Sequence, residues 1–380
     1  MQFRTDINGL RGWAVLLVLL FHYEIWRFNG GFLGVDIFFV ISGFLMASII
    51  SNSNENNNFS ISNFYLRRAR RIIPALLTLI IVIILIALII LPPQELIKLS
   101  EHAGSSILFF SNFTYMDEAG YFDAVSINKW LLHTWSLSVE WQFYLLYPLI
   151  LKFFYILVAQ NNIYFKNLIF HILLFAVLIL LSFKSYDVKP EFAFFMLPAR
   201  AWELIAGSII FFIFKNNGIK NGLSIYSSLG VISLIILSLV VDDSFDWPGT
   251  YTLLTVLATS LIILNNNQNN FLLHNYSIQK LGEISYSLYL WHWPIFVGLN
   301  YFFLTNIYWK LLGFIFSVII SLMSYKYVEL KFNRYKTNKK FTISLLLIVI
   351  SIFVSSLMIS NSNGMPNRFN DDVVIASEQS

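Results

Sequence analysis

The sequence predicts an all-α, polytopic membrane helix bundle of about eleven transmembrane helices, and three observations carry that prediction. The composition is 57% hydrophobic and only 12% charged over 380 residues, with a mean hydropathy of +0.68, which leaves too little polar surface for a soluble domain. Runs of roughly 17 to 22 largely apolar residues, the length that crosses a ~30 Å hydrocarbon core, recur along the chain. Basic residues cluster in alternate connections between those runs, as a fixed orientation in the membrane requires.

The runs fall near 10–27, 34–50, 73–91, 138–158, 167–183, 197–214, 224–241, 250–264, 284–302, 309–327 and 341–359, the eighth being the shortest. The first begins shortly after Asp6 and lacks a small-residue cleavage pattern, so it reads as an uncleaved span. With the N-terminus in the cytoplasm, the inner connections hold Arg67, Arg68, Arg70 and Arg71, then Lys166, Lys215 and Lys220, Lys280, and finally Lys331, Arg334, Lys336, Lys339 and Lys340. The outer connections then hold Asp117, Glu118 and Asp123, and Asp242, Asp243 and Asp246, with the polar tail after Ser360 also outside. Residues 98–115, KLSEHAGSSILFFSNFTY, have only a short apolar core. They read as an interfacial or re-entrant element, since a twelfth span would invert every later connection. The Asn-rich stretches 51–58 and 265–270 read as solvated linkers.

Cysteine is absent, which excludes disulfides, a thiolate nucleophile and a cysteine metal cluster. G-x-S-x-G, H-E-x-x-H and P-loop motifs are also missing, so soluble-type serine hydrolase, zinc protease and NTPase chemistries lack their parts. Chemistry must come from within the membrane. The stretch 4–50, RTDINGLRGWAVLLVLLFHYEIWRFNGGFLGVDIFFVISGFLMASII, puts Arg11, His22, Glu24 and Asp36 in or beside two apolar runs. Charge at bilayer depth is costly, so such groups face a polar cavity rather than lipid. Arg11 and His22 are eleven residues apart. That is about three helical turns, which places both on one helix face roughly 16 Å apart.

His22 is the first candidate for the chemistry, because an imidazole can take a proton from a hydroxyl near neutral pH or carry an acyl group transiently. The short FNGGF loop makes the first two spans neighbours, so Asp36 is expected to orient that imidazole or to balance Arg11. Glu24, two residues from His22, points to another face. The arginine cluster is a topology signal and also supplies two Arg-x-x-Arg pairs whose planar forks suit phosphate groups. Arg200 and Glu203 share a face at i, i+3 spacing, which fits an ion pair and a substrate contact equally. An aromatic belt explains Trp135 as readily as a sugar-stacking role, and for Tyr286, Tyr289, Trp291 and His292 the belt is the first reading.

The 4–50 stretch resembles the motif of acyltransferase family 3, the integral-membrane O-acyltransferases of surface glycans. YLRRARRIIPA at 65–75, LLHTWSLSVEWQFYLLYP at 131–148, ARAWELIAG at 199–207 and ISYSLYLWHWPI at 284–295 are similar to family motifs in the family's order. The resemblance covers about residues 3–330 and implies a ten-helix acyltransferase domain over 1–335, an additional C-terminal span over 336–360 and an extracytoplasmic linker tail over 361–380. NSNGMPNRFND at 361–371 looks like the linker that leads, in fused members, to an SGNH-type esterase domain, here expected as a separate partner or as the continuation of a fragment.

The family further implies a bacterial inner-membrane enzyme that moves an acetyl group from cytoplasmic acetyl-CoA to a hydroxyl of an envelope polysaccharide such as O-antigen or a similar glycan. On that resemblance His22 is the functional histidine, with Asp36 as its partner. Arg68, Arg71 and Arg11 hold CoA, while Trp135, Glu140, Arg200, Glu203 and His292 contact substrate, with Trp135 and Glu140 forming an acceptor site at the outer mouth and His292 a secondary candidate. No metal and no nucleic acid are expected. The competing reading is a non-catalytic transporter of a glycan or lipid-linked carrier, in which the same buried charges form a translocation path.

Overall fold

A computed structural model describes residues 3–55, 59–119, 128–157, 162–217, 222–242, 244–334 and 339–369 of the chain. The predicted loop residues Asp123, Lys220, Asp243 and Lys336, part of the 51–58 linker and the tail beyond 369 lie outside the described residues. The order is α1 (Thr5–His22), α2 (Gly34–Glu55), α3 (Ile61–Ile90), α4 (Pro93–Ile107), α5 (Ser111–Glu118), α6 (Thr134–Leu157), α7 (Ile163–Val188) and α8 (Pro190–Phe195). It continues through α9 (Leu197–Asn217), α10 (Ser224–Val240), α11 (Thr250–Asn265), α12 (Phe271–His274), α13 (Tyr276–Tyr301), α14 (Ile307–Ser324), α15 (Leu330–Arg334) and α16 (Lys339–Asn361), with no strand among the described residues. Each predicted run is centred on one of the long helices, and the chain is a polytopic all-α membrane bundle.

Several helices outrun their apolar stretches. The third predicted run begins at 73, but α3 starts at Ile61, where Ser60 Oγ accepts the Asn63 N–H at 3.3 Å and caps the helix. Arginine is a good helix former, so Arg67 to Arg71 continue α3 as a charged first half rather than sitting in a loop. Residues 98–115 form a hairpin rather than one crossing helix. Its arms α4 and α5 reverse at Leu108–Phe110, with Phe109 in the left-handed region at φ 58°, and His102 Nε2 meets Glu118 Oε1 at 2.7 Å across them. Ser106 and Ser111 tie the hairpin to α6 through Thr134 at 2.7 Å and Ser138 at 2.8 Å.

Burial separates a centre from a rim. The most apolar window of 31–55 is 78% buried, whereas those of α7 and α16 are 11% and 17%, so α2 is surrounded by protein while α7 and α16 present their sides outward. By length and composition 31–55, 61–90, 163–188, 190–216, 307–334 and 340–361 can each cross a bilayer unaided. Of the remaining long helices, α1, α6 and α13 are more polar, and they join α2 and α3 in lining the candidate site.

Two close pairings set the register at that site. A Cβ at Gly43 would overlap the Leu204 carbonyl, and one at Gly207 the Val40 carbonyl, so α2 and α9 touch backbone to backbone. Ser208 Oγ donates to the Gly43 carbonyl at 3.3 Å across the same seam. On the other side of α1, Asn8 Nδ2 donates to the Gln279 carbonyl at 2.9 Å and to its Oε1 at 2.8 Å, locking α1 to α13. Those two helices run in the same direction, which brings the end of α1 at His22 level with His292.

Candidate active site

A cavity lies between α1, α2, α3, α6 and α13. Arg11, Arg68 and Arg71 converge on it, while Arg67 and Arg70 of the same cluster do not line it. The i, i+3 spacing explains the selection, because Arg68 and Arg71 share the face of α3 that turns inward. None of the three lining arginines makes an ion pair among the described residues. Arg68 lies 5.9 Å from the Phe64 ring centre, and its buried Nε has no hydrogen-bond partner. The guanidinium groups therefore keep donors free for an anion.

Glu140 lines the same cavity but is already engaged, accepting hydrogen bonds from Ser42 Oγ and Tyr144 Oη. Its expected place in an acceptor site at the outer mouth is therefore not what the structure shows, for it faces the arginines. Glu329, on a π-helical turn after α14, adds a second carboxylate near Arg11 and Arg71 and accepts from Ser287 Oγ at 3.1 Å. Three arginines and two carboxylates leave this end of the cavity formally positive.

A histidine pair adjoins the cavity through Tyr289, whose ring lies 5.5 Å from that of His292. His22, the last residue of α1, is half-buried, and its Nδ1 lies 3.1 Å from His292 Nε2 with the rings stacked at 5.1 Å. Trp293 presses its edge on His22 at 4.8 Å, and Tyr23 anchors the helix end through its Oη to the His292 carbonyl at 3.1 Å. The tautomers follow from the partners. His292 Nδ1 lies 3.1 Å from the Leu288 carbonyl, which can only accept, so in neutral His292 that nitrogen carries the proton and Nε2 is a lone pair. That lone pair takes the Nδ1–H of His22 and leaves His22 Nε2 as an unprotonated acceptor. No side chain or backbone group among the described residues bonds that Nε2.

The expected pairing of Asp36 with His22 or Arg11 is not present. Asp36 is fully buried and pairs with Arg200, which also reaches Glu203 with Nε to Oε1 at 2.9 Å. Asp36 starts α2, and the α2–α9 seam points that turn at Arg200 rather than at α1. Arg200 and Glu203 are thus a buried ion cluster, and Trp135 belongs to it. The guanidinium is ringed by Phe39, Trp135 and Phe194 at 5.6, 5.7 and 5.7 Å. Trp135 is 7% exposed, so it presents no open face for stacking on a sugar. Breaking this cluster leaves a buried charge unpaired, so its members support the wall of the cavity. Glu24 is exposed and pairs with Lys310 at 2.5 Å.

His292, a secondary candidate by sequence, is the direct partner of His22. Sequence reasoning missed His133 and Ser136 and read Tyr289 as part of an aromatic belt, whereas these three lie between the cavity and the histidines. Tyr289 Oη bonds Ser136 Oγ at 2.6 Å and donates to the His133 carbonyl at 3.0 Å. The signal for His133 was present in LLHTWSLSVEW, one short turn before Trp135. No group of three or more His, Asp or Glu side chains among the described residues is arranged to hold a metal ion.

Three arginines thus line this cavity within a helical membrane bundle, and the His22–His292 pair adjoins it through Tyr289. The chain belongs to the family whose model, described as an acyltransferase domain, matches residues 4–360. It is similar to the O-acetyltransferase OatA of Staphylococcus aureus, at 29% identity over 383 residues in strains NCTC 8325 / PS 47, COL and MRSA252. Those alignments cover 94% of this chain and 63% of the relatives, so the chain spans less than two thirds of their length. No solved structure matches it.

Proposed function

We propose that the chain is the membrane unit of an O-acetyltransferase, which takes an acetyl group from cytoplasmic acetyl-CoA and passes it to a hydroxyl of a cell-envelope glycan. The observation that carries this reading is an excess of positive charge in a cavity lined by three arginines, beside a histidine pair in which His22 Nε2 has no partner. Arg11 and His22 stand about 16 Å apart along α1. That spacing suits a donor whose phosphates and thioester are joined by an extended pantetheine arm.

Arg68, Arg71 and Arg11 bind the phosphates as charge-assisted forks. His22 Nε2 takes the hydroxyl proton of the acceptor as its oxygen attacks the thioester carbonyl, and His292 holds His22 in the tautomer that this requires. The C–O bond forms, the C–S bond breaks, and the thiolate leaves with the proton that His22 received. The products are an acetyl ester and CoA thiol. An SGNH-type domain, fused or separate, is a further partner on this reading.

The test is purified protein in lipid nanodiscs with carbon-14 acetyl-CoA and an envelope glycan preparation. Acceptor-dependent release of CoA and labelled glycan are expected, whereas a transporter gives neither, and their absence in protein that binds acetyl-CoA rules the reading out.

The bacterial inner membrane, a cytoplasmic N-terminus and an extracytoplasmic C-terminus complete the proposal, supported by the basic connections. Reporter fusions after Asn58, Asn217 and Thr337 are expected to report the cytoplasm and one after Asn367 the outer side. A cytoplasmic signal at Asn367 contradicts this orientation.

A further inference from the structure

The histidines of the bundle differ in how their ring nitrogens are satisfied. His102 meets Glu118 at 2.7 Å, His171 meets Tyr147 Oη at 2.9 Å and the Asn167 carbonyl at 2.7 Å, and both nitrogens of His292 are taken. His133 is 4% exposed, yet neither Nδ1 nor Nε2 has a hydrogen-bond partner. An imidazole in either tautomer carries an N–H, and a buried donor left unmet is unfavourable enough that native structures seldom keep one without a use.

Position suggests the use. The His133 ring lies 6.0 Å from His292 and 5.7 Å from Tyr289, between the histidine pair and the tyrosine that lines the cavity. Its main chain is fixed, because its carbonyl accepts at 3.0 Å from Tyr289 Oη, which in turn accepts from Ser136 Oγ at 2.6 Å. The side chain is thus held on a rigid turn with its polar atoms idle, directly behind Tyr289 and Ser136 of the cavity wall and beside His292.

We infer that His133 is a further catalytic residue, whose ring N–H hydrogen-bonds the carbonyl oxygen of the acyl donor and holds the negative charge that develops there. The inference rests on the acyl-transfer reading above. As the acceptor oxygen adds to the carbonyl carbon, the C=O π pair moves onto oxygen, where the His133 N–H meets it. As the tetrahedral adduct collapses, that pair re-forms the carbonyl and sulfur leaves with the C–S bonding electrons. His133 neither gains nor loses a proton, and His22 handles the proton from the acceptor. A donor aimed at developing charge in a site closed to water stabilises the transition state more than the ground state, so its loss falls on kcat.

The test uses the whole chain in nanodiscs with His133→Phe, His133→Leu and His133→Gln. The apolar variants remove an unmet donor, so their thermal midpoints should equal or exceed that of the wild type. Their kcat should fall by about 10² to 10³, with KM for acetyl-CoA nearly unchanged. Glutamine keeps an N–H near the same place and should restore much of the loss.

A second readout does not need turnover: acetonyl-CoA, a ketone that cannot transfer its acetyl group, carrying carbon-13 at the carbonyl. Its bound C=O stretch should shift to lower frequency in the wild type and His133→Gln but not in His133→Phe. If the probe binds with the same carbonyl frequency in all variants, or if the apolar variants keep wild-type kcat, the inference fails. It also fails if kcat falls only together with thermal stability and glutamine behaves like phenylalanine, which marks a structural histidine. If acetonyl-CoA binds not even to the wild type, it is the acetyl-CoA reading that falls, and the inference falls with it.

Discussion

Replacing His22 by glutamine is expected to lower acetyl transfer by about 10² to 10⁴, the usual worth of a positioned general base, while acyl-CoA binding stays within a few-fold of the wild type. The size follows from what glutamine can and cannot do. Its amide can still hydrogen-bond His292 and fill the space beside Trp293, so the packing of the α1 terminus survives. It has no lone pair of suitable basicity to take a hydroxyl proton near neutral pH. Rates measured in nanodiscs at matched protein levels, alongside equilibrium binding of the donor, separate the two effects. Near wild-type transfer by His22→Gln would make His22 a packing residue and move the search for the base to His292 and Glu140. Replacing His292 instead should leave a smaller loss, because it acts through His22 by fixing the tautomer, and second partners of this kind typically contribute about 10- to 100-fold.

The second large effect is expected at the arginines of the cavity. Arg68→Ala combined with Arg71→Ala removes two charge-assisted phosphate contacts, which corresponds to about 3 kcal/mol or a hundredfold in affinity for acyl-CoA. Insertion and orientation should persist, because Arg67 and Arg70 still supply positive charge on the same helix and neither lines the cavity. Lysine at both positions restores the charge but not the planar fork, so only part of the binding should return. Titration with acyl-CoA at two salt concentrations checks this. The wild type should lose more affinity with salt than the double alanine variant, and equal affinity of the two proteins would reduce the cluster to a topology signal.

Much of this molecule was legible in its sequence because the relevant physics is local. A run of apolar residues long enough to cross a bilayer must satisfy its own backbone, and a helix does so whatever its neighbours are. The eleven runs were therefore found, and so was the common face of Arg11 and His22, which follows from helical periodicity alone. The separation of Arg68 and Arg71 from Arg67 and Arg70 is the same arithmetic, although periodicity could not say which pair turns inward. The boundaries of α3 and α13 were misplaced because a charged or capped first turn extends a helix beyond its apolar stretch without any signal in hydropathy.

The partners of the charged groups were decided only by the tertiary structure. Asp36, fourteen positions from His22, was the nearest carboxylate in an adjoining span, yet it pairs with Arg200, 164 positions on, while His22 pairs with His292, 270 positions on. Periodicity fixes which residues share a face of one helix but not which neighbour that face meets. That choice belongs to the contacts between helices, here the backbone approach of Gly43 and Gly207 and the hydrogen bonds of Asn8 to Gln279. These set the rotation and height of each helix against its partner. By itself the sequence determined a helical membrane protein with a cation and an imidazole on one helix. The fold decided that a histidine, and not a carboxylate, holds the tautomer of that imidazole, because only helix packing brings the two rings together.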